Sequence, residues 1–218
     1  MIERFLHHVR VELPEPVETA AVARSRLADK FARTALRRMT HLGLLIGSVL
    51  DGVKLESEDA LVYASTYAET RALEDFLTSF PEASPLLFQT SIHPGGVQQV
   101  LIGRQQPIAR LWPLAGRVRL IEHALLTALM DPAMRVAFVG GEECGSWMLE
   151  QGMAARRAFA FATLMNREPA DAAGKITFSP SDRSDDACPS SENFALALAQ
   201  RHPLAWSGSG GDWHLQWS

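Results

Sequence analysis

The chain is short of the residues that build a metal centre, a disulfide framework or a membrane anchor. It has two cysteines, Cys144 and Cys188, in 218 residues. Neither belongs to a CxxC pair or to any His/Cys spacing that suits a metal, so no metal and no cofactor is expected. No apolar run approaches the roughly 20 residues that cross a bilayer, and no signal peptide is expected. A cytoplasmic protein with reduced thiols and no membrane insertion is the expectation. Neither sign of charge dominates: 21 Lys and Arg against 25 Asp and Glu leave a formal charge of -4, with no general attraction to nucleic acid. Repeats and domain linkers are missing too, so residues 1–218 read as one domain. Apolar side chains are plentiful, at 47% of the sequence, enough for one sizeable core.

Residues 107–142, PIARLWPLAGRVRLIEHALLTALMDPAMRVAFVGGE, contain a strand, a turn, a helix and a second strand. Alternation over 108–112 suits the strand, 113–116 the turn, and Val118, Ile121, Leu125, Ala128 and Leu129 share one helical face. Asp131-Pro132 stops that helix, and 135–139 read as a buried strand ending at Gly140-Gly141. An elbow between a strand and a helix N-terminus suits a nucleophile. Leu114-Ala115-Gly116-Arg117 contains none.

Residues 4–12 read as a first strand, on which His7 and His8 point to opposite faces and do not share a metal ion. From 18 to 49 the pattern is helical, broken near Asp29 or Gly43. Arg33, Arg37 and Arg38 share a face there, either a solvated basic face or a docking surface for an acidic partner such as an acyl carrier protein. ALVYA at 60–64 suits a strand covered on both sides. Ser65-Thr66 are placed to cap a helix from 67 to about 80, with Leu73, Phe76, Leu77 and Phe80 facing a core. Residues 79–85 read as loop, and Phe88 leads into His93-Pro94-Gly95-Gly96. His93 reads as a hydrogen-bonded turn histidine in preference to a catalytic one, since no nucleophile matches it. Val97, Val100 and Leu101 mark a short helix ending at Gly103.

Further on, RAFAFATLM at 157–165 alternates alanine with larger apolar residues, as in a strand packed on a close neighbour. Residues 175–179 are a short strand, 179–193 a polar, mobile segment, 194–200 a helix, and 212–217 a strand with Trp213, Leu215 and Trp217 on one face. Such alternation predicts an α/β protein with a mixed, mostly parallel sheet and helices on both faces.

The stretch 107–142 resembles the N-terminal half of a beta-ketoacyl synthase of the thiolase superfamily. In that family a glycine and a proline precede a strand that ends in an Ala-Cys-Ser or Ala-Cys-Thr elbow, a helix follows, and the next strand ends in Gly-Gly. Gly96, Gly103, Pro107 and Gly140-Gly141 match. Ala115, or Gly116 if the register slips by one, stands where the family has its acyl-accepting cysteine. YASTYAETRALEDF is similar to the family's second strand and the helix start after it, with Thr66, Ala68 and Glu69 in place of glycines. Residues 88–101 are similar to its loop and dimer-interface helix, and AFAFATLM to the strand that closes its first half. The resemblance covers most of residues 1–165. The second half and its two histidines have no counterpart, since His202 and His214 lack the family's surroundings, and 166–218 form a divergent tail.

The resemblance therefore implies a single thiolase-like half-fold without its nucleophile, similar to the abbreviated chain length factors of aryl-polyene and xanthomonadin-type pathways. It implies a subunit that is not an enzyme on its own. Such a subunit pairs with a full-length ketosynthase, as a heterodimer or heterotetramer, and shapes its acyl tunnel; an acyl carrier protein is a further candidate partner. Tunnel-wall positions of the family map to Tyr67, Thr70, Arg71 and Glu74, spaced to share a helical face, and to Phe88, with His93 as a further tunnel or interface candidate. Tyr67 and Phe88 read equally well as core aromatics. Surface bared by the missing half has to be covered by the tail from 175 onward or by a partner, through an interface on the order of 2,000 Å². Two other readings stay open: a homo-oligomeric module for acyl or aromatic ligands, and a thiolase-like acyltransferase using Cys144.

Overall fold

The structure is a computed structural model that describes residues 1–16, 18–183 and 188–218. One mixed sheet organises it. Strands β1 (Ile2–Glu12), β2 (Ala60–Ser65), β3 (Arg110–Ala115), β4 (Arg135–Glu142), β5 (Phe159–Asn166), β6 (Gly174–Pro180), β7 (Leu204–Gly208) and β8 (Gly211–Trp217) lie in the order β3-β2-β4-β5-β1-β6-β8-β7. The α/β class, the mixed sheet and helices on both faces are as expected. Among the described strands, however, only β2 with β3 and β2 with β4 pair in parallel. All the other pairings are antiparallel, so the sheet is not mostly parallel. After β4 the chain makes direct antiparallel returns instead of helical crossovers.

The helices are α1 (Ala20–Arg26), α2 (Arg33–Leu36), α3 (His41–Val49), α4 (Thr70–Thr78), α5 (Pro85–Ser91), α6 (Gly95–Arg104), α7 (Leu120–Met130), α8 (Trp147–Glu150) and α9 (Ser191–Gln200), with a 3₁₀ turn at Ala28–Lys30. The helical stretch expected over 18–49 breaks near Asp29 and again at residues 37–40. Gly43 lies inside α3. Among the described residues no helix is long and apolar enough to cross a membrane.

Alternation along the central strands divides the core. Leu61, Tyr63, Ala137, Val139, Ala160 and Ala162 face α3 and α6, while Val62, Ala64, Val136, Phe138, Phe159 and Phe161 face α7 and α9. The alanines of β5 give α3 room to lie close, and every residue of α3 is buried, as a helix apolar all round must be. On the other face Phe138, Phe161 and Phe194 form a three-ring cluster with centroids 5.3–5.8 Å apart. Phe178, Trp213 and Trp206 extend it beneath the tail strands.

Several boundaries differ from expectation. Pro113 and Leu114 belong to β3 and not to a turn; a proline is tolerated there because β3 is an edge strand. Gly140 and Gly141 lie within β4 because a side chain at 141 would meet the Phe159 carbonyl oxygen at 2.6 Å. Phe88 sits on α5 and not on a loop. Helix α4 begins at Thr70, after a bend at 66–69, so Tyr67 is outside it and Ser65 and Thr66 do not cap it. Its buried side carries Thr70, Ala72 and Glu74, whereas Leu77 and Phe80 are 40% and 56% exposed. β7 and α8 are elements the sequence pattern did not indicate. Part of the polar stretch 179–193 lies outside the described residues; of the rest, Ser179 and Pro180 complete β6 and residues 191–193 open α9.

Candidate functional site

The carboxyl ends of β2, β3 and β4 lie side by side, where open α/β sheets bind ligands. Four buried glutamates organise the loops there, three of them by accepting amide hydrogens at the starts of helices. Glu143 Oε1 accepts from Leu42 N in α3 at 2.9 Å, and its Oε2 from Arg71 N in α4 at 2.8 Å. One carboxylate thus sits at two positive helix ends. Glu69 Oε1 accepts from Gly96 N in α6 at 2.8 Å, and Glu74 Oε1 accepts from Ser146 N and Met148 N at the start of α8 at 2.7 and 3.0 Å. Glu142, the last residue of β4, fixes the bend after β2. It accepts from Thr66 N, from Tyr67 N at 3.1 Å and from Ser65 Oγ at 3.1 Å. Burial pushes the carboxyls of both Glu142 and Glu143 up to about 7, against these donors. Sequence reasoning missed Glu69, Glu142 and Glu143. The available signal was a pair of acidic residues directly following a fully apolar strand.

A cavity of about 390 Å³ opens beside Glu142, lined among others by Thr66, Tyr67, Arg117, Arg156, Phe159 and Ser191. Arg117 lies over the Tyr67 ring, 5.5 Å from its centroid. Ser191 brings the tail to the site, its Oγ 3.2 Å from Thr66 Oγ1. Ala115 ends β3, exposed and paired in register with Ser65, and Gly116 follows with φ +146° and open space where a Cβ would stand. The lining offers guanidinium, carboxyl, hydroxyl and apolar groups, without thiol or imidazole.

The other candidates are dispersed. Tyr67 borders this cavity; Thr70 is buried and its Oγ1 donates to the Tyr67 carbonyl at 2.8 Å. Glu74 turns inward to α8 and also pairs with Arg71, whose Nη1 is 3.4 Å from Glu74 Oε2; Tyr67 precedes the helix and lines the separate cavity beside Glu142, so the four residues do not form one helical face. His93 stacks on buried Tyr63, with centroids 4.9 Å apart, and its Nδ1 is 3.3 Å from Glu69 Oε2. Phe88 is 52% exposed and contacts Phe76 at 5.3 Å. Arg33, Arg37 and Arg38 are exposed, and Arg38 borders a second space of about 440 Å³ between α2, α5 and α6 that shares no lining residue with the first. His7 and His8 go to separate carbonyls, Glu168 O and Val49 O, as their opposed directions require. Cys144 Sγ lies 3.3 Å from Arg156 O, and burial, followed by the charge of Glu74, pushes its thiol up. Among the described residues no three His, Cys, Asp or Glu side chains converge on a metal position.

No protein-family model matches the sequence, and no curated protein does. Solved structures do. A ketosynthase (ApeO) in complex with its chain length factor (ApeC) from Xenorhabdus doucetiae matches with a TM-score of 0.65 and 19% identity, over 99% of this chain and 100% of the matched one. The ishigamide ketosynthase/chain length factor matches with a TM-score of 0.57 and 10% identity, over 84% of this chain and 68% of that one. The chain therefore has the α/β thiolase-like fold of these ketosynthase and chain length factor assemblies.

Proposed function

We propose that this chain is a non-catalytic, chain length factor-like subunit that pairs with a full-length ketosynthase and shapes its acyl tunnel in polyene or polyketide biosynthesis. The observation that carries this reading is the elbow at Ala115-Gly116. It joins β3 to α7 without an acyl-accepting group, in a chain that aligns end to end with one from a ketosynthase–chain length factor complex. Claisen condensation requires a thiolate and groups that stabilise an enolate. The cavity beside the elbow supplies neither thiol nor imidazole. Cys144 is a poor substitute, because a thiol pushed up by burial holds less thiolate at neutral pH.

Pairing in this reading uses the outward side of α4 and α5. Phe76 contacts both Phe80 and Phe88 at 5.3 Å, and Leu77, Phe80 and Phe88 present much of their surface to solvent. Apolar surface of this kind marks an interaction site. Phe88 would reach the partner's tunnel from this patch and Tyr67 from the elbow side. Arg33, Arg37 and Arg38, the last of which borders the space between α2, α5 and α6, serve an acidic carrier protein in this reading.

The test is co-expression with a full-length ketosynthase, sizing of the complex, and product analysis. A stable complex is expected, and Phe88→Ala or Tyr67→Ala should lengthen its products. A chain that purifies as a monomer and never joins a ketosynthase removes the pairing. An intact complex with an unchanged product distribution in both variants removes the tunnel role.

A further inference from the structure

The cavity beside Glu142 has features that pairing with another subunit does not use. We propose that it is a binding site for a small monocarboxylate with an apolar body, gripped by Arg117 and Arg156 and closed by the start of α9.

Position and form come first. The cavity lies at the carboxyl ends of β2 and β4, between the sheet and the tail, and its volume of about 390 Å³ is within the roughly 300–1,000 Å³ of small-molecule sites. Its walls are preformed. Glu142 holds residues 65–67 by three hydrogen bonds, Thr66 Oγ1 contacts Ser191 Oγ, and Ser190 Oγ accepts from Asn193 N at 3.1 Å to fix the first turn of α9.

Charge decides the ligand class. Neighbouring arginines are already engaged: Arg119 Nη1 is 3.1 Å from Glu122 and Arg157 Nε 3.6 Å from Glu192. Arg117 and Arg156 form no ion pair among the described residues. The Arg117 guanidinium carbon lies over the Tyr67 ring, 5.5 Å from its centroid, a contact that gives its N–H groups no oxygen acceptor. A guanidinium fork fits a planar carboxylate with two parallel hydrogen bonds. Two carboxyls, Glu142 and Glu192, also border the space and penalise a dianion more than a monoanion. The oxygens of Glu142 already accept from Thr66, Tyr67 and Ser65, so it does not take up the arginines. Leu149, Ala154 and Phe159 give an apolar wall for the rest of the molecule.

Octanoate is the probe, titrated calorimetrically into the full chain in whatever assembly it purifies. One saturable site per chain is expected. Arg117→Ala and Arg156→Ala should each weaken binding by about tenfold or more, with thermal unfolding confirming that these exposed substitutions leave the fold intact. Ala155→Trp, which fills the cavity from its half-buried edge, should abolish the site. Inorganic phosphate should not displace octanoate. The proposal is overturned by the lack of saturable octanoate binding, by wild-type affinity in both arginine variants, or by displacement with phosphate. Because both arginines belong to this chain, a ketosynthase's own acyl site cannot account for their effect. Pairing is read separately by sizing, so either result stands without the other.

Discussion

Glu142 and Glu143 are adjacent, and strand alternation sends them to opposite sides of the sheet, one to the bend after β2 and the other to the starts of α3 and α4. Both carboxyls are raised by burial from 4.5 to about 7. Between those values the native chain holds more protons than the unfolded one. The stabilisation present below about 4.5 is therefore lost as pH rises through 7, on the order of a few kcal/mol in total. His41, lowered by burial, works in the opposite direction below 6.5. Burial would raise Asp131, but Arg110, Ala133 N and Trp112 bring it to about 2, so it matters only in strong acid. Glu143→Gln isolates the effect. Baseline stability should fall by about 1–3 kcal/mol, because an amide NH₂ replaces one acceptor facing Leu42 N or Arg71 N. The decline between pH 5 and 8 should become shallower in urea denaturation; an unchanged decline would mean that Glu143 is ionised throughout. A second residue-scale expectation concerns the elbow. Ala115→Cys should give an exposed, alkylatable thiol but no acyl transfer from a labelled thioester, since no imidazole lines the adjoining cavity.

Element by element, period-2 and period-3.6 patterns were enough to locate β1, β2, β4, β5, β8, α7 and α9; of the face expected for α7, Ile121, Leu125, Ala128 and Leu129 are buried, whereas Val118 precedes the helix and is 83% exposed. The same logic failed for α4 for a definite reason. Leu73, Phe76, Leu77 and Phe80 define an apolar side, but amphipathicity does not say what that side meets. In the fold Glu74 is drawn inward by the amides of α8, and Leu77 and Phe80 are left outside. The site was hidden in the same way, because Glu69, Glu74 and Glu143 each accept from backbone amides that only tertiary structure brings together. β7 has five residues without alternation and becomes a strand only by pairing with β8. The Gly140-Gly141 pair was legible as a place of close approach, though not as mid-strand. Gly141→Ala should cost about 1–3 kcal/mol or more in chemical denaturation, because the obstacle is the Phe159 backbone and cannot swing away. Phe80→Asp, just past the end of α4, tests the exposed patch that Phe80 shares with Phe76. A change of about 0.5 kcal/mol or less in stability is expected for so exposed a residue, together with loss of co-purification with a ketosynthase. Retained co-purification would take α4 out of the proposed interface.

At the scale of the whole molecule, the tail is built into the fold. β1 pairs with β5 on one side and β6 on the other, so the first strand is held between two strands from the later part of the sequence. β6, β8 and β7 then continue the same sheet, and α9 lies on the face that carries Phe138 and Phe161. On this face the tail covers the core. The exposed aromatic patch of α4 and α5 is thus a separate matter, and the two make different predictions. Phe194 is the tail's deepest contact with the core, 1% exposed and within 5.8 Å, centroid to centroid, of both phenylalanine rings. Phe194→Ala leaves a cavity on the order of a phenyl ring and should cost about 3–5 kcal/mol in urea denaturation, whether or not a ketosynthase is present. A loss that vanished on adding the partner would mean that the partner, and not α9, covers this face. A loss of less than about 1 kcal/mol would mean that the tail docks loosely and that residues 1–165 hold their core without it.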